Sequence, residues 1–372
     1  MIALVFLIPI LACALLLVFF REWVRPLEYL LVLIPGILVP VIVYISIKSY
    51  VSSDTEYLGY YTTQVAYYEP WNEYIHKTCT REVYDGRDED GNAKYHTETY
   101  DCSYVKEHRE YWEMILSNGR TLEISQREYD EIVCRFGTPK VFVDMHRHYY
   151  TKDGDKYTCS FNGDRNHMYT VTLTHRYKNK VKNSMSIFNF SEVGEDKADS
   201  LGLYDYPPVV RDQNPIVGYN PGESVIDSFK YVNAYYGAPY QFRCFVFVYR
   251  NKPMSIVEEQ KNFLIGGNKN ELIVCISIDE TDNVQWVNSF SWEDTPYMSV
   301  GCNHIYEEGE TLDLMVLERY LLENVPKQWK RKEFADFDYI ETPVTSTGWF
   351  FVVLSSIITC IIMSVVVVLN EI

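Results

Sequence analysis

The chain has 372 residues, 34 basic and 51 acidic, for a formal net charge of −17 at neutral pH. A surface that acidic repels phosphate backbones and anionic headgroups, which argues against nucleic acid as a partner. No Walker, dinucleotide, G-x-S-x-G or H-E-x-x-H motif occurs, so the common nucleotide, hydrolase and metalloprotease signatures are missing.

Residues 2–20, IALVFLIPILACALLLVFF, run without a charge. A bilayer core takes about 20 apolar residues as helix, so a transmembrane helix is expected over 1–20. A cleaved signal peptide fits less well, because there is no basic n-region and no small-x-small site before the charged loop. Cys13 follows Ala12 as in a lipoprotein site, but the residues after it stay apolar. Residues 21–28 form a short loop, and 29–48 form the second expected span. That span contains Pro35, Gly36 and Pro40. No charged residue lies within the apolar runs 2–20, 29–47 and 349–369, so a tolerated kink explains these prolines better than a hinge or permeation path. A third apolar run covers 349–369. Arg21, Trp23, Arg25, Lys48, Tyr50 and Trp349 sit where interfacial anchors belong.

Short arginine-bearing loops stay cytoplasmic, so Arg21 and Arg25 place loop 21–28 and the C-terminal tail inside and the large domain outside. Lys48 and the run Lys327, Lys330, Arg331, Lys332 oppose this, but long domains translocate largely regardless of charge. The domain carries 31 basic and 48 acidic residues and seven of the nine cysteines. On an oxidising side, Cys79 and Cys102 are the best disulfide pair, closing a hairpin marked by Asp85-Gly86 and Asp90-Gly91. Cys244 and Cys275 lie in apolar runs and read as core cysteines.

Residues 50–215 predict a β-rich subdomain. Glu56–Tyr68 is an extended aromatic run leaving the membrane. Tyr111–Leu116 and Thr121–Ile124 flank Asn118-Gly119 as a hairpin. Val141–Tyr150 and Lys156–Phe161 flank Asp153-Gly154-Asp155 as another, and His167–Tyr177 and Ser184–Phe190 continue the pattern. Residues 191–222 hold four prolines and read as a linker. Residues 223–340 then predict helix, strand, helix, two strands and a helix over Thr311–Val325, with Pro326 opening a further helix. The fold class expected is therefore an α+β membrane protein. Three transmembrane helices flank a soluble domain with a β-rich first half and an α/β-sandwich second half.

The second half also resembles a known family. The strand QFRCFVFVY is followed by the helix SIVEEQKNFLIGG and the polar turn Asn268-Lys269-Asn270-Glu271. The strand LIVCISID with its hairpin partner comes next, then the late helix and VPKQWKRKEFADF. This order is similar to the TPM domain of membrane-anchored bacterial and plastid proteins, over residues 223–340. The resemblance implies an α/β sandwich on a membrane anchor, tied to assembly or repair, with phosphatase activity claimed for some members. The family's glycine-rich stretch after the second strand is replaced here by Ser289-Phe290-Ser291-Trp292, so no site residue carries over.

Asp144, His146 and His148 alternate along a strand and so share one face. That row suits zinc or another divalent ion, with His167 or His175 as a fourth ligand; the alternative is a solvated strand face. His76, Cys79, His96, Cys102 and His108 would offer zinc ligands on a reducing side. Gly266-Gly267-Asn268-Lys269 leaves a helix and enters a strand, so it reads as a helix cap and not a phosphate loop. Asn189-Phe190-Ser191 is a glycosylation sequon. The 32 tyrosines suit either a recognition surface or an ordinary β-rich fold. The expected function is a membrane-anchored extracytoplasmic protein acting in binding or assembly, with no cofactor assigned. Its partners would be the lipid bilayer and a protein partner or second copy. The alternative is a membrane-tethered metal-dependent hydrolase or phosphatase using Asp144, His146 and His148. A transporter or pore would require the uncharged spans to oligomerise.

Overall fold

A computed structural model describes the chain except for residues 1, 23, 88–90, 92, 137–140, 145–153, 162–167, 182–189, 342 and 371–372. Helix and sheet are mixed, and apolar helices stand at both ends. Helices α1 (Ile2–Val5) and α2 (Leu7–Phe19) make one apolar stretch, broken at Phe6. Pro9 explains the break, since it has no N–H to give the Val5 carbonyl. Helix α3 (Tyr29–Val51) is 23 residues long, about 35 Å at helical rise and enough to cross a bilayer. Strand β1 (Ser53–Tyr68) follows after Ser52 alone, whose hydroxyl donates to the Lys48 carbonyl at 2.8 Å. The domain's central strand is thus fastened to the end of a candidate spanning helix.

After β1 come β2 (Trp71–Ile75), β3 (Thr78–Arg87), β4 (Ala93–Asp101), β5 (Tyr104–His108), β6 (Tyr111–Leu116) and β7 (Thr121–Ile124). Helix α4 (Gln126–Phe136) leads to β8 (Val141–Asp144), β9 (Asp155–Ser160) and β10 (Thr170–Lys178). The main sheet has the order β7-β6-β1-β9-β8. The first half of β1, Ser53–Tyr61, pairs with β10, and its second half lies between β6 and β9. Val65, Met114, Leu116 and Ile124 of this sheet bury against Tyr129 and Ile132 of α4. Helix α4 is absent from the sequence expectation. Its start is nonetheless written locally: Ser125 and Glu128 form a reciprocal capping pair, with Glu128 N–H donating to Ser125 Oγ at 3.2 Å.

The expected linker 191–222 contains α5 (Glu195–Leu201) and β11 (Ile216–Val217). Then follow α6 (Glu223–Tyr240), β12 (Arg243–Arg250), α7 (Ile256–Phe263), β13 (Glu271–Ile278) and β14 (Val284–Ser291). Helices α8 (Tyr297–Cys302), α9 (Leu314–Gln328) and α10 (Ser346–Asn370) complete the chain. Strands β11, β12 and β13 are parallel and β14 is antiparallel. Both faces of β12 and β13 are covered, which is why the middles of these strands read as continuous apolar runs. Cys244, Val246, Val248, Leu272 and Val274 face α6, α8 and α9. Phe245, Phe247, Tyr249 and Ile273 face α7 and a set of tyrosines.

Pro326, expected to open a new helix, lies inside α9 instead. A proline there leaves the Leu322 carbonyl without its helical donor, and Tyr236 of α6 supplies one, with its hydroxyl 2.9 Å away. The third apolar helix uses the same remedy. Pro40 frees the Gly36 carbonyl in α3, and the Ser356 hydroxyl of α10 donates to it at 3.1 Å. A neighbouring helix therefore satisfies the bond that the proline removes, as an apolar surrounding demands. Helices α2, α3 and α10 pack around Leu16, Val32, Cys360 and Val367.

The two sheets meet where β1 crosses α6. An added Cβ on Gly59 would lie 2.2 Å from the Asn233 carbonyl oxygen, and one on Gly237 would lie 2.2 Å from the Gly59 oxygen. Two backbones touch here, so both glycines are required by contact.

Candidate functional site

Most of the residues singled out for the Asp144 metal site lie outside the described residues. Asp144 ends β8 with Asp155 as its register partner, while His146, His148 and His167 lie outside the described residues. His175, the other proposed ligand, sits on β10 with its Nδ1 2.8 Å from Glu56 Oε1. His96 and His108 face Asp85 and Glu73 at 3.8 and 2.7 Å. Among the described residues, no group of three or more potential ligands comes together. Cys79 and Cys102 form the expected disulfide, with 5.8 Å between their Cα atoms. Cys244 and Cys275 are buried, and burial pushes both thiols up. Arg21 and Arg25 are exposed in the loop opposite the domain, and Trp23 and Asn189 lie outside the described residues. Trp349 contacts Tyr44 at the domain end of the bundle, ring centroids 5.5 Å apart, with Lys48 over the same tyrosine.

What the fold does assemble is a buried polar seam beside the three apolar helices. Glu56 of β1 is 3 % exposed. Besides His175, its carboxylate has Lys269 Nζ at 3.8 Å and Arg331 Nη1 at 3.6 Å. Lys269 also lies over the Tyr177 ring at 4.7 Å, and burial lowers its ammonium pKa against the pull of Glu56. Four segments thus converge on one carboxylate: the strand leaving α3, β10, the turn before β13, and the segment leading to α10. The basic run at 327–332, read above as a sidedness signal, is partly drawn into the domain through Arg331, while the exposed Lys330 pairs with Asp294 at 2.7 Å.

A second buried group lies one strand away. Glu271 accepts from the Asn268 backbone N–H and side-chain amide, both at 2.8 Å, and from the Tyr206 hydroxyl. Burial raises its carboxyl, opposed by those hydrogen bonds and by Arg243. Arg243, its register partner on β12, is brought down to about 10 by burial. It donates to Gln213 and Thr172 and stacks over Phe245 at 4.9 Å. Gly266 and Gly267 adopt φ of 80° and 79°, letting the chain turn from α7 so that Asn268 meets Glu271 and Lys269 meets Glu56. Sequence reading found this turn as a helix cap but missed its ionic role, because Glu56 is 213 positions upstream of Lys269. Arg243 and Glu271 stand at the N-terminal ends of parallel strands, whereas ligands of open α/β sheets gather at the C-terminal ends. A cleft of about 370 Å3 beside this seam, lined by Asp54, Asp205, Tyr206 and Asn268, brings solvent near Glu271. Chemically, the seam holds charges in place; Glu271 has its acceptors filled by named donors.

The second feature is an arm. Strands β2 and β5 pair only with each other, as do β3 and β4, in two ribbons separate from either sheet. None of the described residues from 69 to 110 is buried. A two-stranded ribbon without a core is marginal in water, and the Cys79–Cys102 disulfide closes this one at its middle. Tyr74, Tyr84, Tyr95, Tyr100 and Tyr104 are all exposed along it. The tyrosines therefore divide: Tyr177, Tyr204, Tyr206 and Tyr249 serve the core, and the arm displays its own. Segment 69–110 carries eleven acidic residues against six basic ones.

No protein-family model, curated protein or solved structure matches the chain. The likeness of residues 223–340 to the TPM domain rests on element order and a helix–glycine–polar turn–strand junction, with no family model behind it.

Proposed function

We propose that the chain is a membrane-anchored binding protein of an assembly, with α2, α3 and α10 as transmembrane helices and the disulfide-closed arm as its recognition element. The arm carries this reading: exposed tyrosines on a disulfide-closed ribbon with no core to serve offer contact area at low entropic cost. Its acidic excess sets the partner's chemistry as a protein surface rich in lysine or arginine, and disfavours a second copy of this equally acidic chain. The domain is extracytoplasmic on this reading, since Arg21 and Arg25 hold their loop inside and a disulfide needs an oxidising compartment. The polar seam transmits the anchor's position to the domain through Glu56.

A photo-crosslinkable residue at position 84 or 95 in the full chain, tested in its native membrane, should give a discrete adduct. Tyr84→Ser with Tyr95→Ser should reduce partner recovery at least tenfold, and raised salt should weaken it, with domain melting unchanged. Adducts made only of second copies, or recovery indifferent to both tyrosines, would overturn the proposal.

A further inference from the structure

We infer that the chain holds an anionic phospholipid at the junction between α3 and the domain. This rests on the reading that α3 crosses a bilayer.

A cleft of about 730 Å3 opens there, bordered by Ile45, Lys48, Ser49 and Ser52 of the α3 end, by the end of β10, and by residues 338–341. Its height is set by the helix. Ile45 belongs to the apolar run, while Lys48, Tyr44 and Trp349 form the belt that marks a headgroup layer. The cleft is basic on a protein of net charge −17. Lys178 and Lys180 share the single carboxylate of Asp338, at 2.7 and 3.6 Å. Among the described residues, Lys48 and Arg176 have no carboxylate within ion-pair distance, and Glu341 is the only other acid lining the cleft. Four cations thus face two acids where the composition predicts repulsion of anionic headgroups. A phosphodiester between Lys48 and Arg176 would complete this balance.

The surface below the cleft commits the ligand to a lipid over free phosphate. Leu38, Ile42 and Ile45 are each more than half exposed and follow one another at helical spacing on α3, leading into the cleft. An acyl chain lying on that stripe brings its phosphate to Lys48. Lys48 and Arg176 have no carboxylate partner among the described residues, whereas the buried cations Lys269, Arg243 and Arg331 are engaged in the seam.

The full chain should be purified in mild detergent, incubated with phosphatidylglycerol or phosphatidylcholine, and examined by native mass spectrometry. One phosphatidylglycerol per chain should be retained and phosphatidylcholine lost. Each cation near a membrane surface changes anionic-lipid affinity about fivefold, so Lys48→Gln with Arg176→Gln should lower retention about thirtyfold. The charge-keeping pair Lys48→Arg with Arg176→Lys should restore it, which separates loss of charge from loss of fold. Equal retention of both lipids, or of phosphatidylglycerol by the neutral variant, would overturn the site. Displacement by millimolar inorganic phosphate would overturn the lipid in favour of a soluble phosphate ligand. Release of the chain from membranes by salt or carbonate alone would overturn the spanning reading beneath both.

Discussion

Replacing Gly237 by alanine sets two physical effects against each other with opposite signs. Gly237 lies inside α6, and in a helix interior alanine is favoured over glycine by about 1 kcal/mol. The new methyl, however, would lie 2.2 Å from the Gly59 oxygen, where ordinary contact begins at 3.4 Å. Both sides of the contact are backbone, so no rotamer relieves it. The strand and helix must part by roughly 1 Å, which forfeits a quarter to a half of the dispersion energy of contacts along the crossing. Overpacking of this kind costs up to about 3 kcal/mol, so the net loss is about 2 kcal/mol. Gly59→Ala meets the Asn233 carbonyl at the same crossing and should cost as much. The double variant should cost less than the sum, because a seam opened once needs no second opening. Urea unfolding of the full chain in detergent, followed by tryptophan fluorescence, measures all three. A Gly237→Ala protein as stable as the parent, or more so, would refute the contact argument and show that helix propensity outweighs the clash.

Ser356→Ala should weaken the three-helix bundle by about 0.6 kcal/mol in mixed-micelle unfolding, and the effect should vanish in a Pro40→Ala background, where residue 40 regains the N–H that Gly36 lacked. Glu271 has a carboxyl raised by burial from an unfolded value near 4.5, so above that pH the folded state holds the extra proton. Stability should then fall as pH rises from there to the folded pKa and level off beyond it. Melting scans from pH 4 to 8 should show this slope in the parent and lose it in Glu271→Gln. Cys79→Ser should release about 3 kcal/mol of loop constraint in the arm, exposing Arg81, Arg87 and Lys94 to trypsin while the domain melts unchanged. Coincident loss of arm and domain would show that the two share a core.

The amino-acid sequence alone determined whatever depends on local composition. Three apolar runs near bilayer length announce three helices, because the criterion is length and the absence of charge. Apolar runs at 244–249 and 272–276 announce covered strands, and two turn signals between Cys79 and Cys102 announce their hairpin. The Ser125–Glu128 box was equally local and would have located α4. The tertiary structure decided what depends on distant partners. Glu56 reads as one acid among 51 until β10, the turn at Lys269 and the segment at Arg331 enclose it. Pro40 reads as a tolerated kink and Pro326 as the opening of a new helix, and only the fold brings Ser356 and Tyr236 as donors from other helices. The charge of −17 predicts repulsion of anionic headgroups, yet the folded chain gathers Lys48, Arg176, Lys178 and Lys180 at one edge. Net charge sums over the chain, whereas a headgroup meets only the few charges within a Debye length of it, and folding alone chooses those.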